Sequence, residues 1–390
     1  MTEVRPARTG TLRHDAVPMR LYHEAKRLGA WDPQALDLSR DAEDWSRFSV
    51  AERDVLLRLS VMFQAAEESM TRDLLPLLVA VTREERLEEQ LFLATFLADE
   101  AKHIEFFRRI LDAVCRQSGD LQRYQTPSFR RLFSERLPAA MQRLLIDPTP
   151  AAQADAIVIY SLVGEGVLGD AGYHAFNTAL AGGDRLPGFR AGLARSQADE
   201  QRHLAYGLFV LSRLIGEGPD VWQTISARME ELLPLTLGIV SEFFESYDPM
   251  PFGLSLEDTV QDAIARFATR WAALEEVKQR GRPLASPPGA DQVVRDIQGW
   301  VGDQLHPAPI EVRREGTGPV YTFHVGSGGA APEGQASALL ITEEVVAHHS
   351  SEDVIAALRV HRVPERLRAT KRARLTCLSA GGKIIVQPPE

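Results

Sequence analysis

The chain has 390 residues, 44% hydrophobic and 25% charged, with a formal net charge of -10. That length exceeds what one hydrophobic core organises, so two domains are expected, and the composition excludes a disordered, fibrous or membrane-spanning protein. The acidic balance argues against a nucleic-acid partner.

The opening stretch, MTEVRPARTGTLRHD, has no apolar core of the signal-peptide kind. No run approaches the roughly eighteen uninterrupted apolar residues of a membrane helix. Cys115 and Cys377 lie far apart, without metal-ligand spacing, and suit a reducing compartment. These features predict a cytoplasmic protein with no membrane span.

From about residue 50 to 280 the apolar residues recur at steps of three and four, which predicts helices over roughly 50–80, 84–116, 150–180, 188–214, 219–247 and 255–280. The breaks carry turn chemistry: SGD at 118–120, DPTP at 147–150, AGGDRLPG at 181–188 and YDPMPFG at 247–253. Residues 1–284 therefore read as an all-α bundle. ASPPGA at 285–290 reads as a linker, and 291–390 as a small α+β domain. Its elements are a helix at 291–304, a short helix in SSEDVIAALRV with a Ser N-cap, and strands in IEVRR, VYTFHV, ASALLIT and KIIVQ. The basic run HRVPERLRATKRAR at 361–374 reads as a solvated face rather than a ligand site.

Within the helical region, ADEAKHIEFF sets Glu100 and His103 on the stripe Leu93, Phe96, Glu100, His103, Phe107, Ile110, Val114. A carboxylate and a histidine thus take core positions. One such pair is weak evidence, because a buried carboxylate orienting a histidine without any metal has the same pattern. The chain has ten histidines but only two Glu-x-x-His motifs. The second, ADEQRHLAYG, sits on the stripe Leu193, Ser196, Glu200, His203, Gly207, Val210. Each motif follows a helix with its own inward Glu: Glu67 on the stripe Phe63, Glu67, Met70, Leu74, and Glu165 within AIVIYSLVGEGVLG. Glu67 precedes Glu100 by 33 residues and Glu165 precedes Glu200 by 35, an internal pseudo-repeat.

Four carboxylates converging in one core cannot all stay ionised unaided, since each uncompensated buried charge costs several kcal/mol. A pair of cations removes that cost. Two helices each giving a Glu and two each giving Glu-x-x-His form the ligand set of the ferritin-like dinuclear carboxylate bundle. Oxygen donors with two imidazoles suit iron or manganese better than zinc. Glu68 competes with Glu67 but points about 100° away from the stripe. His174, nine residues beyond Glu165, is a candidate to support the site from behind.

LYHEAKRLGAWDP (21–33), FQAAEESMTRDLLPLL (63–78), FLADEAKHIEFFRRIL (96–111), GEGVLGDAGYHAF (164–176) and ADEQRHLAYG (198–207) together resemble the ligand-binding oxidases related to the ribonucleotide reductase small subunit. The resemblance covers about residues 15–284. It implies a manganese/iron or di-iron centre with two metal ions per chain on Glu67, Glu100, His103, Glu165, Glu200 and His203. It also implies a long-chain fatty acid or other apolar ligand beside the centre, dioxygen as oxidant for a two-electron oxidation, and a homodimer; the electron donor stays unidentified. A radical-generating small subunit commonly has Asp first and a tyrosine one turn beyond the first His, where this chain has Glu67 and Phe107. In the family's oxidases a tyrosine becomes ether-linked to a valine; Tyr160 matches the tyrosine, but Met70 stands at the valine position. The expectation is therefore a dioxygen-activating oxidase or oxygenase with Tyr160 and Met70 near the metals and no ether between them. The alternatives are a radical-generating reductase subunit and a lipid or ligand carrier with a structural metal site.

Overall fold

A computed structural model describes residues 12–117, 119, 121–181, 185–218, 220–280, 290–306, 310–314, 320–325, 337–342, 345, 351–369, 374–380 and 383–387. The chain forms two compact units, residues 1–284 and 285–390. Residues 285–289 of the ASPPGA linker and parts of the SGD and AGGDRLPG turns lie outside the described residues, while Ala290 opens a helix.

The first unit is a mostly helical, ferritin-like bundle. Its helices are α1 (Val17–Leu28), α2 (Ser39–Arg47), α3 (Val50–Asp73), α4 (Leu75–Arg83), α5 (Leu87–Arg109), α6 (Pro127–Arg130), α7 (Leu137–Arg143), α8 (Pro150–Ile157), α9 (Asp170–Leu180), α10 (Pro187–Ile215), α11 (Val221–Phe244) and α12 (Leu256–Arg280). α3 starts at a capping box: Glu52 N donates to Ser49 Oγ at 3.2 Å, while Ser49 N donates to Glu52 Oε2 at 2.7 Å. The expected helix over 50–80 is two helices, with Pro76 in the first turn of α4. Periodicity did not single out α1, α2, α6 or α7. These are short, and α1 buries only Pro18, Met19, Leu21 and Ala25.

α8, a π-helical stretch Val158–Gly169 and α9 form one continuous helix of 31 residues. By length and composition it could cross a membrane, a property that a search for uninterrupted apolar runs passes over. Yet 89% of its apolar window is buried inside the protein, so its apolarity is that of a core helix. α10 comes very close to it. A Cβ on Gly207 would lie 2.4 Å from Ser161 Cβ, so only glycine lets the two backbones approach this far.

The second unit holds α13 (Ala290–Leu305), β1 (Ile310–Arg314), β2 (Val320–Val325), β3 (Ser337–Thr342), α14 (Ser351–Val360), α15 (Val363–Ala369), β4 (Arg374–Ala380) and β5 (Lys383–Gln387). The strands lie in the order β1-β2-β3-β4-β5. Among the described strands, only β3 and β4 run parallel, and that pairing needs a crossover, within which α14 and α15 lie. Val293, Ile297 and Val301 of α13 pack with Phe323, Leu339, Ile341 and Leu375 of the sheet. Part of the basic run is α15, which buries the apolar Val363 and Leu367, and the last residue of the run opens β4.

Candidate metal centre

Four elements bring the six titratable residues together. α3 supplies Glu67, α5 supplies Glu100 and His103, the π-helical stretch supplies Glu165, and α10 supplies Glu200 and His203. All six are buried, and Glu100, His103 and His203 have no exposed surface. The wider backbone turn of a π-helix shifts the side chains that follow it, and such turns occur often at functional sites.

The ligand atoms form two groups. Glu67, Glu100, His103 and Glu200 present atoms within 4.8 Å of one another, and so do Glu100, Glu165, Glu200 and His203. Glu100 and Glu200 belong to both groups and lie between them. His103 Nδ1 is 3.5 Å from Glu67 Oε2 and 3.2 Å from Glu200 Oε1. His203 Nδ1 is 3.2 Å from Glu100 Oε1, 3.4 Å from Glu165 Oε1 and 3.3 Å from Glu200 Oε2.

Both oxygens of Glu100 and of Glu165, Glu200 Oε2 and the Nδ1 atoms of both histidines are buried without a hydrogen-bond partner. Orphaned acceptors facing one another at this density are costly unless cations satisfy them. The donor set, four carboxylates and two imidazoles, fits a pair of iron or manganese ions.

Burial, with the charge of Glu100, pushes Glu67 up to about 8. Burial pushes Glu165 up to about 8 and Glu100 to about 7, each only partly offset by His203. Burial acts on Glu200 in the same direction, but its contacts to His103 and His203 outweigh it and hold the group at about 2. Without cations, protons do part of their work.

The other nitrogens of the two imidazoles face two aspartates that sequence reasoning missed. His103 Nε2 is 3.3 Å from Asp199 Oδ2, and His203 Nε2 is 3.5 Å from Asp99 Oδ2. The pairing is crossed, each histidine being served by the aspartate of the opposite helix. Arg202 bridges both aspartates, and Lys102 Nζ reaches Asp99 at 2.6 Å and Asp199 at 3.1 Å. Trp31 Nε1 donates to Asp199 Oδ2 at 2.8 Å. The signal was in the sequence: both Glu-x-x-His motifs begin with the same ADE.

An apolar cavity of about 110 Å³ opens on Glu67, Glu165 and Glu200. Met70, Phe129, Phe133, Leu168, Ile239 and Phe243 are among its walls. Met70 is 5% exposed, and Tyr160 donates its hydroxyl to the Met70 backbone oxygen at 3.2 Å. Tyr160 also neighbours Phe96, which stacks on His203 with ring centroids 3.6 Å apart. Glu68 is exposed and accepts from Gln64 Nε2 at 2.7 Å, outside the site. His174 is exposed too, because α9 turns it to the outside, so it does not support the site. Phe107 is buried and stacks on Phe63 at 5.0 Å.

Comparisons with known proteins agree with this geometry. The profile of the family "Ribonucleotide reductase, small chain" matches residues 19–262. A variant of an R2-like ligand-binding oxidase with an aerobically reconstituted Mn/Fe cofactor superposes with a TM-score of 0.65 at 32% identity, covering 67% of this chain and 95% of its own. A second variant, with the cofactor reconstituted anaerobically, has a TM-score of 0.64 at 33% identity over the same shares.

Proposed function

The chain belongs to the ribonucleotide reductase small-chain family, and from that premise we propose that it is a dioxygen-activating dimetal oxidase or oxygenase acting on an apolar substrate. The observation that carries this reading is the cavity wall, where an apolar chamber ends on three of the four site carboxylates. Such a chamber excludes water and holds a C–H bond against the place where oxidising power is generated.

Glu67, Glu100, His103, Glu165, Glu200 and His203 would hold two metal ions, manganese/iron or di-iron. When bound, these ions supply electrons and Lewis acidity for the reduction of dioxygen. The protein's own share is positional and electrostatic. Glu100 and Glu200, common to both groups, would serve both ions. Glu67 and Glu165 close the two ends and border the cavity. Asp199 is hydrogen-bonded to the outer nitrogen of His103, which fixes the plane of that ring and turns Nδ1 toward the site, and Asp99 stands near the outer nitrogen of His203 at 3.5 Å. Met70 and the surrounding phenylalanines shape the space for a substrate of fatty-acid kind.

Oxygen uptake by the reduced, metal-loaded chain tests the reading. Uptake that increases when an apolar C–H substrate is added, with an oxidised product by mass spectrometry, is the expected result. A chain that binds metal and lipid but consumes no oxygen would be a carrier instead. The radical-generating alternative is disfavoured by Phe107, which offers no phenol one turn beyond His103.

A further inference from the structure

Of the four site carboxylates, only Glu165 is set between two glycines, Gly164 and Gly166, inside the π-helical stretch. A glycine has no side chain to pin its backbone against a neighbour and has the most conformational freedom to lose. The stretch by itself therefore holds Glu165 less firmly than α3, α5 and α10 hold Glu67, Glu100 and Glu200.

A fixed point comes from another helix. Arg270 of α12 donates from Nη2 to the Gly166 backbone oxygen at 3.3 Å and to Asp170 Oδ2 at 2.9 Å, spanning the turn that follows Glu165. A Cβ on Gly166 would lie 2.9 Å from Leu204 Cδ1 and 3.3 Å from Arg270 Nε, so the missing side chain is what admits the guanidinium. Asp170 is 6% exposed and also pairs with Arg266 Nη1 at 3.0 Å. Its other oxygen accepts from Gln201 Nε2 at 3.4 Å, and Gln201 directly follows Glu200. One buried aspartate thus connects α12 to the two segments that carry Glu165 and Glu200. Taking a guanidinium largely out of water costs several kcal/mol unless its N–H groups find acceptors. Simple burial on α12 is met by apolar residues, as Leu274 and Val277 show.

We propose that Arg270 is a positioning residue for Glu165: by holding the Gly166 carbonyl and Asp170 together it fixes the backbone of a glycine-flanked ligand, and so sets how tightly the metal position on the His203 side is held. The inference rests on the metal-centre part of the proposed function and not on its dioxygen chemistry. Glu165 shares a donor group with Glu100, Glu200 and His203, and is absent from the group of Glu67 and His103. Loss of Arg270 is therefore felt at one position and not at both.

The test uses the full chain and manganese(II) alone as the probe. Equilibrium dialysis gives the affinities, and low-temperature electron paramagnetic resonance tells an isolated ion from two coupled neighbours. The wild-type chain should bind two ions and show the coupled signal. Arg270→Met keeps the apolar stem but donates nothing, while Arg266 remains to neutralise Asp170. In that variant one ion should bind as in wild type and the other about 10–100-fold more weakly, the usual cost of losing a residue that orients a ligand, so that the isolated-ion signal dominates. Arg266→Met leaves Arg270 on both its acceptors and should keep the coupled pair. In a His203→Ala background, where the affected position is already impaired, Arg270→Met should change little. Two ions at wild-type affinity in Arg270→Met, or a parallel loss of both, overturns this inference and leaves the metal centre standing. A wild-type chain that takes up no second ion overturns the metal-centre reading as well. If Arg270→Met does not accumulate as folded protein, Arg270→Gln, with a shorter side chain that stops before the Gly166 oxygen, takes its place, and wild-type affinity for both ions is then the overturning result.

Discussion

Asp199 stands 3.3 Å from the outer nitrogen of His103, a residue of a different helix, while its neighbour in sequence, Glu200, faces the inner nitrogen of the same ring at 3.2 Å. One short segment of α10 therefore grips both sides of an imidazole on α5. The reciprocal contact, Asp99 to His203 at 3.5 Å, ties α5 back to α10. Partners of this kind set the tautomer and basicity of a ligating histidine.

Asp199→Asn should therefore weaken metal binding by roughly 10–100-fold without removing a ligand, the usual cost of losing such a partner. Competition with a calibrated chelator measures it. Wild-type affinity in Asp199→Asn would mean that Trp31, Lys102 and Arg202 hold the ring region without it.

The wild-type chain should carry about two metal ions. Glu100→Ala and His203→Ala should lower that occupancy, with the greater loss in Glu100→Ala because Glu100 belongs to both donor groups. Glu68→Ala, exposed and outside the site, should leave it unchanged. Metal analysis after extensive dialysis decides, and full loading in the first two variants would sink the assignment.

The metal-free chain should lose stability as pH rises from about 5 to 8.5. Glu67 and Glu165 near 8 and Glu100 near 7 have folded-state pKa values raised above the usual carboxylate range. A raised pKa contributes stability that is fully present below the unfolded value and disappears as pH climbs through the folded one, at about 1.4 kcal/mol per pH unit for each proton. His103 and His203, raised by their carboxylate partners against the effect of burial, act in the same direction. Glu200, held at about 2, titrates below this window. Metal should reverse the trend, because binding releases those protons and so strengthens with pH. Thermal unfolding with and without metal across this range is the measurement.

Met70 should come through oxygen exposure of the loaded protein without an ether to Tyr160. A methionine Cβ is secondary, and its thioether is easily oxidised, so sulfoxide at Met70 is the side product to look for. The Tyr160 hydroxyl is engaged with the Met70 backbone oxygen, and the side chain lines the cavity. Peptide mass spectrometry distinguishes the outcomes, and a joined peptide pair lighter by the lost hydrogens would refute the prediction. Met70→Val should then allow the linkage.

Gly207→Val should cost about 1–3 kcal/mol, the scale of overpacking a close contact, since even a Cβ there meets Ser161 Cβ at 2.4 Å. A shift of the thermal midpoint reports it, and an unchanged midpoint would mean that α10 and the π-helical stretch separate easily.

Much of the centre was legible in the chain because metal ligation imposes spacing. A Glu and a His three apart share one helix face, and a polar pair on an otherwise apolar stripe is conspicuous wherever it recurs. Glu67, Glu100, His103, Glu165, Glu200 and His203 could each be named on that ground, as could most helices of the first unit, whose long apolar stripes repeat many times. Short elements such as α1, α6 and α15 were not, for they bury too few residues to show a period. What the tertiary structure alone decided are relations between helices, which leave no periodic trace. Glu100 and Glu200 belong to both donor groups only because α5 and α10 face each other across the core. The shared ADE marks Asp99 and Asp199, but that each faces the histidine of the opposite helix follows from the same crossing. Periodicity along one helix shows which face is buried; which residue it meets there depends on the partner helix, its distance and its rotation.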